Sequence, residues 1–115
     1  MARGDIWSVD LPVPQGSPGH EQFGLRPAVV VQTELKDTAL PTTVVIPTTS
    51  NQKAGRFPFT ILIPPTSKNG LSTASILLIF QIRAIDKGRL NRRIGKLESE
   101  HIEKMENEIR ALLGL

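Results

Sequence analysis

His20-Glu21-Gln22-Phe23-Gly24-Leu25-Arg26-Pro27-Ala28-Val29-Val30-Val31 is the stretch whose reading decides the fold. Pro27 has no N–H to give a ladder, so it fits only at the start or edge of a strand. The apolar run behind it is continuous and not alternating, which predicts a strand over residues 26–32 buried on both faces. Arg26 then falls at the strand's mouth, delivered by a loop that can turn at Gly24. A guanidinium held there, with His20 and Glu21 just upstream, offers a fixed fork of charged donors suited to a phosphate or a developing oxyanion. A surface arginine at a strand end with no chemical role fits the same residues.

Working outward, Asp5-Ile6-Trp7-Ser8-Val9-Asp10 alternates weakly between Gly4 and Pro12 and reads as a first strand, with Trp7 as a core anchor. Residues 11–19 hold three prolines and two glycines, too many breakers for anything but a loop. Residues 34–40 are polar and ambiguous. Thr42-Thr43-Val44-Val45-Ile46-Pro47 gives a third strand, ending in a row of hydroxyls at Thr48, Thr49 and Ser50. Residues 57–63 give a fourth, stopped by Pro64 and Pro65, and Asn69-Gly70 marks a turn. Residues 74–82 are apolar throughout and predict a fifth, central strand or one at a dimer contact.

Residues 85–90 could form one helical turn capped by Asp86. After that the period changes. Ile102, Met105, Ile109, Leu112 and Leu113 trace one helix face, Glu98, Glu100 and Glu103 suit its start, and Gly114 ends it. Glu100 with Lys104 and Glu106 with Arg110 fall four residues apart in the favourable order. The reading is a mainly β domain with α: one unit over residues 1–115, about five strands in a small, strongly bent antiparallel sheet or barrel, and a C-terminal helix.

A chain of 115 residues supports one core, and at this size dimerisation often adds burial, so a homodimer is expected. The absence of cysteine excludes disulfides and thiolate sites and favours an intracellular location. His20 and His101 are far apart with no carboxylate at ligand spacing, so neither a metal nor another cofactor is expected. No apolar run approaches membrane-spanning length. The net charge of +3 is compatible with a polyanionic partner. It is unevenly placed: Arg83, Lys87, Arg89, Arg92, Arg93 and Lys96 precede a glutamate-rich helix, and that basic segment reads equally as a phosphate-attracting surface or a solvated face.

Taken in order, Gly4-Asp5-Ile6-Trp7 with Val9-Asp10-Leu11, Gly19-His20-Glu21-Gln22 with Gly24 and Arg26-Pro27, Pro47-Thr48-Thr49-Ser50, Pro58-Phe59, and Gln81-Ile82-Arg83 with Ile85-Asp86 and Arg89-Leu90 run almost the length of the chain. In these the sequence resembles the MazF/PemK toxins of type II toxin–antitoxin systems. The resemblance implies a cytoplasmic, homodimeric, SH3-like barrel of the MazF/Kid/CcdB kind that arrests growth by cutting single-stranded RNA, usually mRNA, at a short sequence without a metal. The substrate's 2′-hydroxyl attacks, leaving a 2′,3′-cyclic phosphate and a 5′-hydroxyl. By the same resemblance Arg26 and Thr49 are the catalytic pair, Gln22, Ser50 and Gln81 contact RNA, His20 and Glu21 contact RNA or supply the base, and the partner is a cognate antitoxin, initially disordered, whose complex binds DNA. Phe57 stands where an aromatic could stack on an unpaired base or serve as a buried anchor.

Two departures stand out. Leu78 and Phe80 occupy places where some members carry an arginine and an acidic residue, and residues 15–18 lengthen the first loop. Other readings of the same fold are a non-catalytic toxin of the CcdB type that inhibits DNA gyrase, and an inactive member. The Gly-x-Arg-Pro and Pro-Thr-Thr elements favour cleavage.

Overall fold

The computed structural model describes residues 1–13, 19, 22–33 and 39–115. Most of the expected first loop, most of the polar stretch from residue 34, and both His20 and Glu21 lie outside the described residues. Among those described, the order is β1 (Asp5–Leu11), β2 (Gly24–Val30), β3 (Thr42–Thr49), β4 (Thr60–Ile63), β5 (Ser75–Leu78), β6 (Arg83–Asp86), β7 (Leu90–Lys96) and α1 (Ser99–Leu113), with short 3-10 turns at Gln52–Arg56, Ile79–Gln81 and Lys87–Arg89. The strands form one antiparallel sheet in the order β4-β5-β3-β2-β1-β7, with β6 also on β3.

β2 is covered on both faces, as its unbroken apolar run requires. Val29 packs into the larger core with Ile6, Ile46, Leu77, Ile79, Leu97 and Met105. Ala28 and Val30 face the other way, into a second cluster with Val9, Leu11, Val45 and Ile85. Trp7 packs against that second cluster but is only partly buried, and its indole Nε1 has no partner. α1 closes the larger core: Met105 is fully buried, Ile102, Ile109 and Leu112 pack beside it, and Gly114 caps the helix in the left-handed conformation. Leu113, expected on this face, is exposed. Glu106 pairs with Arg3 at 2.9 Å and not with Arg110, which bonds Asn107.

The sheet has seven strands where five were expected, for two local reasons. The predicted fifth strand breaks: β5 pairs with the end of β3, Thr48 opposite Leu77, and β6 pairs with its start, Val45 opposite Arg83. The turn Ile79–Gln81 takes up the change of register. The Ile79 N–H bonds the Phe59 carbonyl at 3.0 Å, leaving the β3 ladder. The seventh strand, Leu-Asn-Arg-Arg-Ile-Gly-Lys, carries no clean alternation, yet it pairs along β1 with two register irregularities. The fourth strand is shorter than predicted because Phe59 has φ near +59° and bends the chain before Thr60. The single turn after β6 forms as a 3-10 turn, with the Gly88 N–H on the Asp86 carboxylate at 2.7 Å.

Asn69 fastens β7 and α1 to the rest. It is fully buried. Its side-chain oxygen accepts from the Thr66 and Leu71 N–H groups, and its amide donates to the Pro64 carbonyl and to Glu98. Glycine is required at Gly95, where an added Cβ would stand 2.5 Å from the Asn69 backbone. Glu98 also accepts from the Thr66 hydroxyl at 2.8 Å. Burial pushes the Glu98 carboxyl up, but the Thr66 hydroxyl, its own backbone N–H, the Asn69 amide and His101 outweigh it and hold the carboxyl below its usual value. Asp5 behaves alike: burial opposes ionisation, while the Ala2 N–H, Lys96 and Arg93 win and lower it.

Removing the Asn69 side chain strands several buried groups, so Asn69→Ala should cost more than about 2 kcal/mol in urea unfolding. Both carboxyls have depressed folded-state pKa values. Their stabilisation is present above the ordinary carboxylate range and is lost as the pH falls through the folded values. The thermal midpoint should therefore drop as the pH falls below about 4, and drop less steeply when Asp5→Asn and Glu98→Gln are combined.

Candidate functional site

The site is built at the carboxyl end of β3, where neighbouring hydroxyls part company. Successive side chains of a strand point to opposite faces. The Thr48 hydroxyl donates to the Pro27 carbonyl at 2.8 Å and ties β3 to the middle of β2. Thr49, also buried, turns into an open cleft of about 590 Å³ lined by Gln22, Asn51, Lys53, Ala54, Arg56, Phe57, Leu78, Phe80 and Gln81. Its Oγ1 accepts from the Asn51 N–H at 3.2 Å.

Arg26 stands beside this cleft and is not among the residues lining it. The β2–β3 register runs through Ala28 opposite Pro47, and the Thr48 to Pro27 bond shows that the strands remain adjacent one residue further on. Were that register continued by one more, Arg26 would fall opposite Thr49, on the same face of the sheet. The Arg26 Nε donates to the Phe23 carbonyl at 3.0 Å. Gly24, between them, has φ near +81°, a conformation that favours glycine.

One wall of the cleft is aromatic and its rim is cationic. Phe57 and Phe80 meet edge to face, with centroids 5.6 Å apart and planes at 63°. The Arg56 guanidinium sits 4.8 Å from the Phe57 centroid. Lys53 and Arg56 belong to the 3-10 turn that Asn51 caps by accepting from the Lys53 N–H. None of the described lining residues is acidic. Opposite, the Gln22 N–H donates to the Gln81 side-chain oxygen at 2.9 Å, and the Gln22 side-chain oxygen is buried without a partner. Cations among aromatic side chains, beside hydroxyl and amide groups, suit an unpaired base with its phosphate.

The structure thus gathers Thr49, Gln22, Phe57 and Gln81 into one cleft, while Arg26 is not among its lining residues. Ser50 is exposed and is not among the lining residues; its carbonyl accepts from Gln52. The basic residues 83–96 do not line the cleft either. Arg93 and Lys96 lie 3.4 and 3.6 Å from Asp5, and Arg89 bonds the Asp10 carbonyl. Sequence reasoning missed Asn51, Lys53 and Arg56; the available signal was a capping asparagine followed by two cations within five residues. Among the described residues no group of three or more histidines and carboxylates is placed to hold a metal ion. No described helix is long and apolar enough to cross a membrane.

A profile of the PemK-like, MazF-like toxins of type II toxin–antitoxin systems matches residues 2–113. The chain belongs to this family of endoribonuclease toxins. Endoribonuclease MazF of Staphylococcus saprophyticus is 35% identical over 115 residues, spanning 100% of this chain and 92% of the relative. The crystal structure of MazF from Deinococcus radiodurans superposes with a TM-score of 0.79 at 21% identity, over 100% of this chain and 97% of that one. A mycobacterial endoribonuclease in complex with its cognate antitoxin gives 0.75 at 19% identity, over 100% and 96%. These two likenesses bear out the MazF-like fold: a mostly antiparallel sheet with a C-terminal helix.

Proposed function

We propose that this MazF-family chain is a single toxin domain that cuts single-stranded RNA at a short sequence, without a metal, by attack of the substrate's own 2′-hydroxyl. The reaction forms a bond from the 2′-oxygen to phosphorus and breaks the bond from phosphorus to the 5′-oxygen. One proton leaves the 2′-hydroxyl and one is taken up by the departing 5′-oxygen. Negative charge develops on the non-bridging oxygens, where a guanidinium and a hydroxyl donor lower the barrier most. Arg26 carries the first role and Thr49 the second. The observation that supports this is positional: the Thr49 hydroxyl lines the cleft while its strand position faces Arg26.

Phe57 and Phe80 offer a stacking surface for an unpaired base, and Lys53 and Arg56 draw the backbone toward it. Gln22 and Gln81 bring amides to the same space, with His20, Glu21 and Ser50 as further RNA contacts. The family also implies a cognate antitoxin, a homodimer and a cytoplasmic setting. Exposed Leu62 and Leu113 are apolar surface of the kind a second copy would cover.

Purified protein incubated with a long unstructured RNA in excess EDTA should produce discrete fragments ending in 2′,3′-cyclic phosphate. Arg26→Ala and Thr49→Ala should each slow this by about 100-fold or more. An inert wild type, or an Arg26→Ala variant as fast as it, would sink the assignment; growth arrest without cleavage would favour a binding toxin. Phe57→Ala should weaken binding of a non-cleavable substrate analogue by about tenfold, as loss of one stacked base predicts.

A further inference from the structure

We propose that Gln81 is a positioning residue for Arg26, acting through Gln22 and Phe23. The inference rests on the nuclease reading above and adds to it a cause for the arginine's orientation. Strand pairing fixes the Arg26 backbone, opposite Val9 on β1, but leaves a long side chain to be aimed. Its Nε is held by the Phe23 carbonyl at 3.0 Å. Phe23 stands just before the ladder that pairs Gly24 with Leu11 and Leu25 with Asp10, and it is itself 39% exposed. The ladder holds the chain on the Gly24 side of Phe23, so how firmly its carbonyl is aimed depends on what holds the Gln22 side.

The fastening comes from 59 residues away, where the Gln22 N–H donates to the Gln81 side-chain oxygen at 2.9 Å. Gln81 ends the 3-10 turn Ile79–Gln81, which is itself well anchored. Ile79 is fully buried and its N–H bonds Phe59, the Ile82 N–H closes the turn on the Ile79 carbonyl, and the Phe80 ring packs edge to face with Phe57. Two hydrogen bonds therefore run in series from that turn, through the main chain between the Gln22 nitrogen and the Phe23 carbonyl, to the Arg26 guanidinium. What this role asks of position 81 is an acceptor oxygen. Reading a base edge would instead draw on the amide's paired donor and acceptor.

Position 81 can be tested with two variants. Gln81→Met removes the acceptor at similar size, and should lower the single-turnover cleavage rate by about tenfold or more while KM stays within about twofold. Gln81→Glu keeps an acceptor, loses the donor and adds a negative charge to the cleft, so KM for RNA should rise while the single-turnover rate at saturating RNA recovers most of its loss with the same cut sites. A Glu variant as slow as the Met variant at saturating RNA, a KM of Gln81→Met that rises in step with its loss of rate, or a changed cut sequence would overturn positioning in favour of base reading. Amide hydrogen exchange at Gln22, measured without RNA, should quicken in Gln81→Met and not in Gln81→Glu; unchanged exchange in both overturns the tether. A wild type that cuts nothing overturns the nuclease reading, and the positioning role with it, while leaving the exchange signature of the tether in place.

Discussion

β3 is shared by three neighbours, and that sharing governs both the shape of the sheet and the place of the site. One edge carries β2. The other carries β6 along its start and β5 along its end. A straight partner would have covered that second edge with one long strand. The register instead changes between the two, and the residues left over form the turn Ile79–Gln81. That turn carries Phe80 and Gln81 out of the ladder and into the cleft. The bend and the binding surface thus arise from a single interruption, in a segment whose composition alone suggests an unbroken strand.

What could be read from the sequence follows from which forces are local. The period of α1, its buried Met105 and its Gly114 cap were legible because helix amphipathicity is written within a few turns. β2 was legible because a strand covered on both faces needs an unbroken apolar run. β7 was not: Asn91, Arg92 and Arg93 lack an alternating signal, and what holds the strand is its pairing with β1 and the close approach of Asn69 to Gly95. Of the residues that line the cleft, Thr49, Gln22 and Gln81 lie in motifs that carry the family resemblance, and Phe57 stood out as an aromatic that could stack on a base. Lys53 and Arg56 were missed because a five-residue 3-10 turn has too short a period to stand out in sequence.

Charge placement shows the same division. The basic segment that looked like a phosphate-attracting surface is partly committed to structure, since Asp5 faces Arg93 and Lys96 across β1 and β7. The cations of the cleft come from Lys53 and Arg56, outside that basic run. Arg56 lies over an aromatic ring, which leaves its charge available to an anion while its flat face is desolvated. Placed cations in a cleft whose described lining holds no acid steer a polyanion more effectively than a longer basic run partly committed to ion pairs.

Adjacent threonines carry the finest distinction. In sequence Thr48 and Thr49 are equivalent, two hydroxyls in one motif. The parity of the strand separates them: one hydroxyl satisfies the Pro27 carbonyl and keeps β2 beside β3, and the other opens into the cleft. If β3 slipped by one residue the two would exchange faces, and the hydroxyl that now faces Arg26 would be replaced by one tied to a backbone carbonyl. The register is held by the apolar side chains of β3 and β2 that reach both cores, Ile46 with Val29 on one side and Val45 with Val30 on the other. Core packing therefore decides which threonine is available for chemistry, although none of those core residues approaches the site.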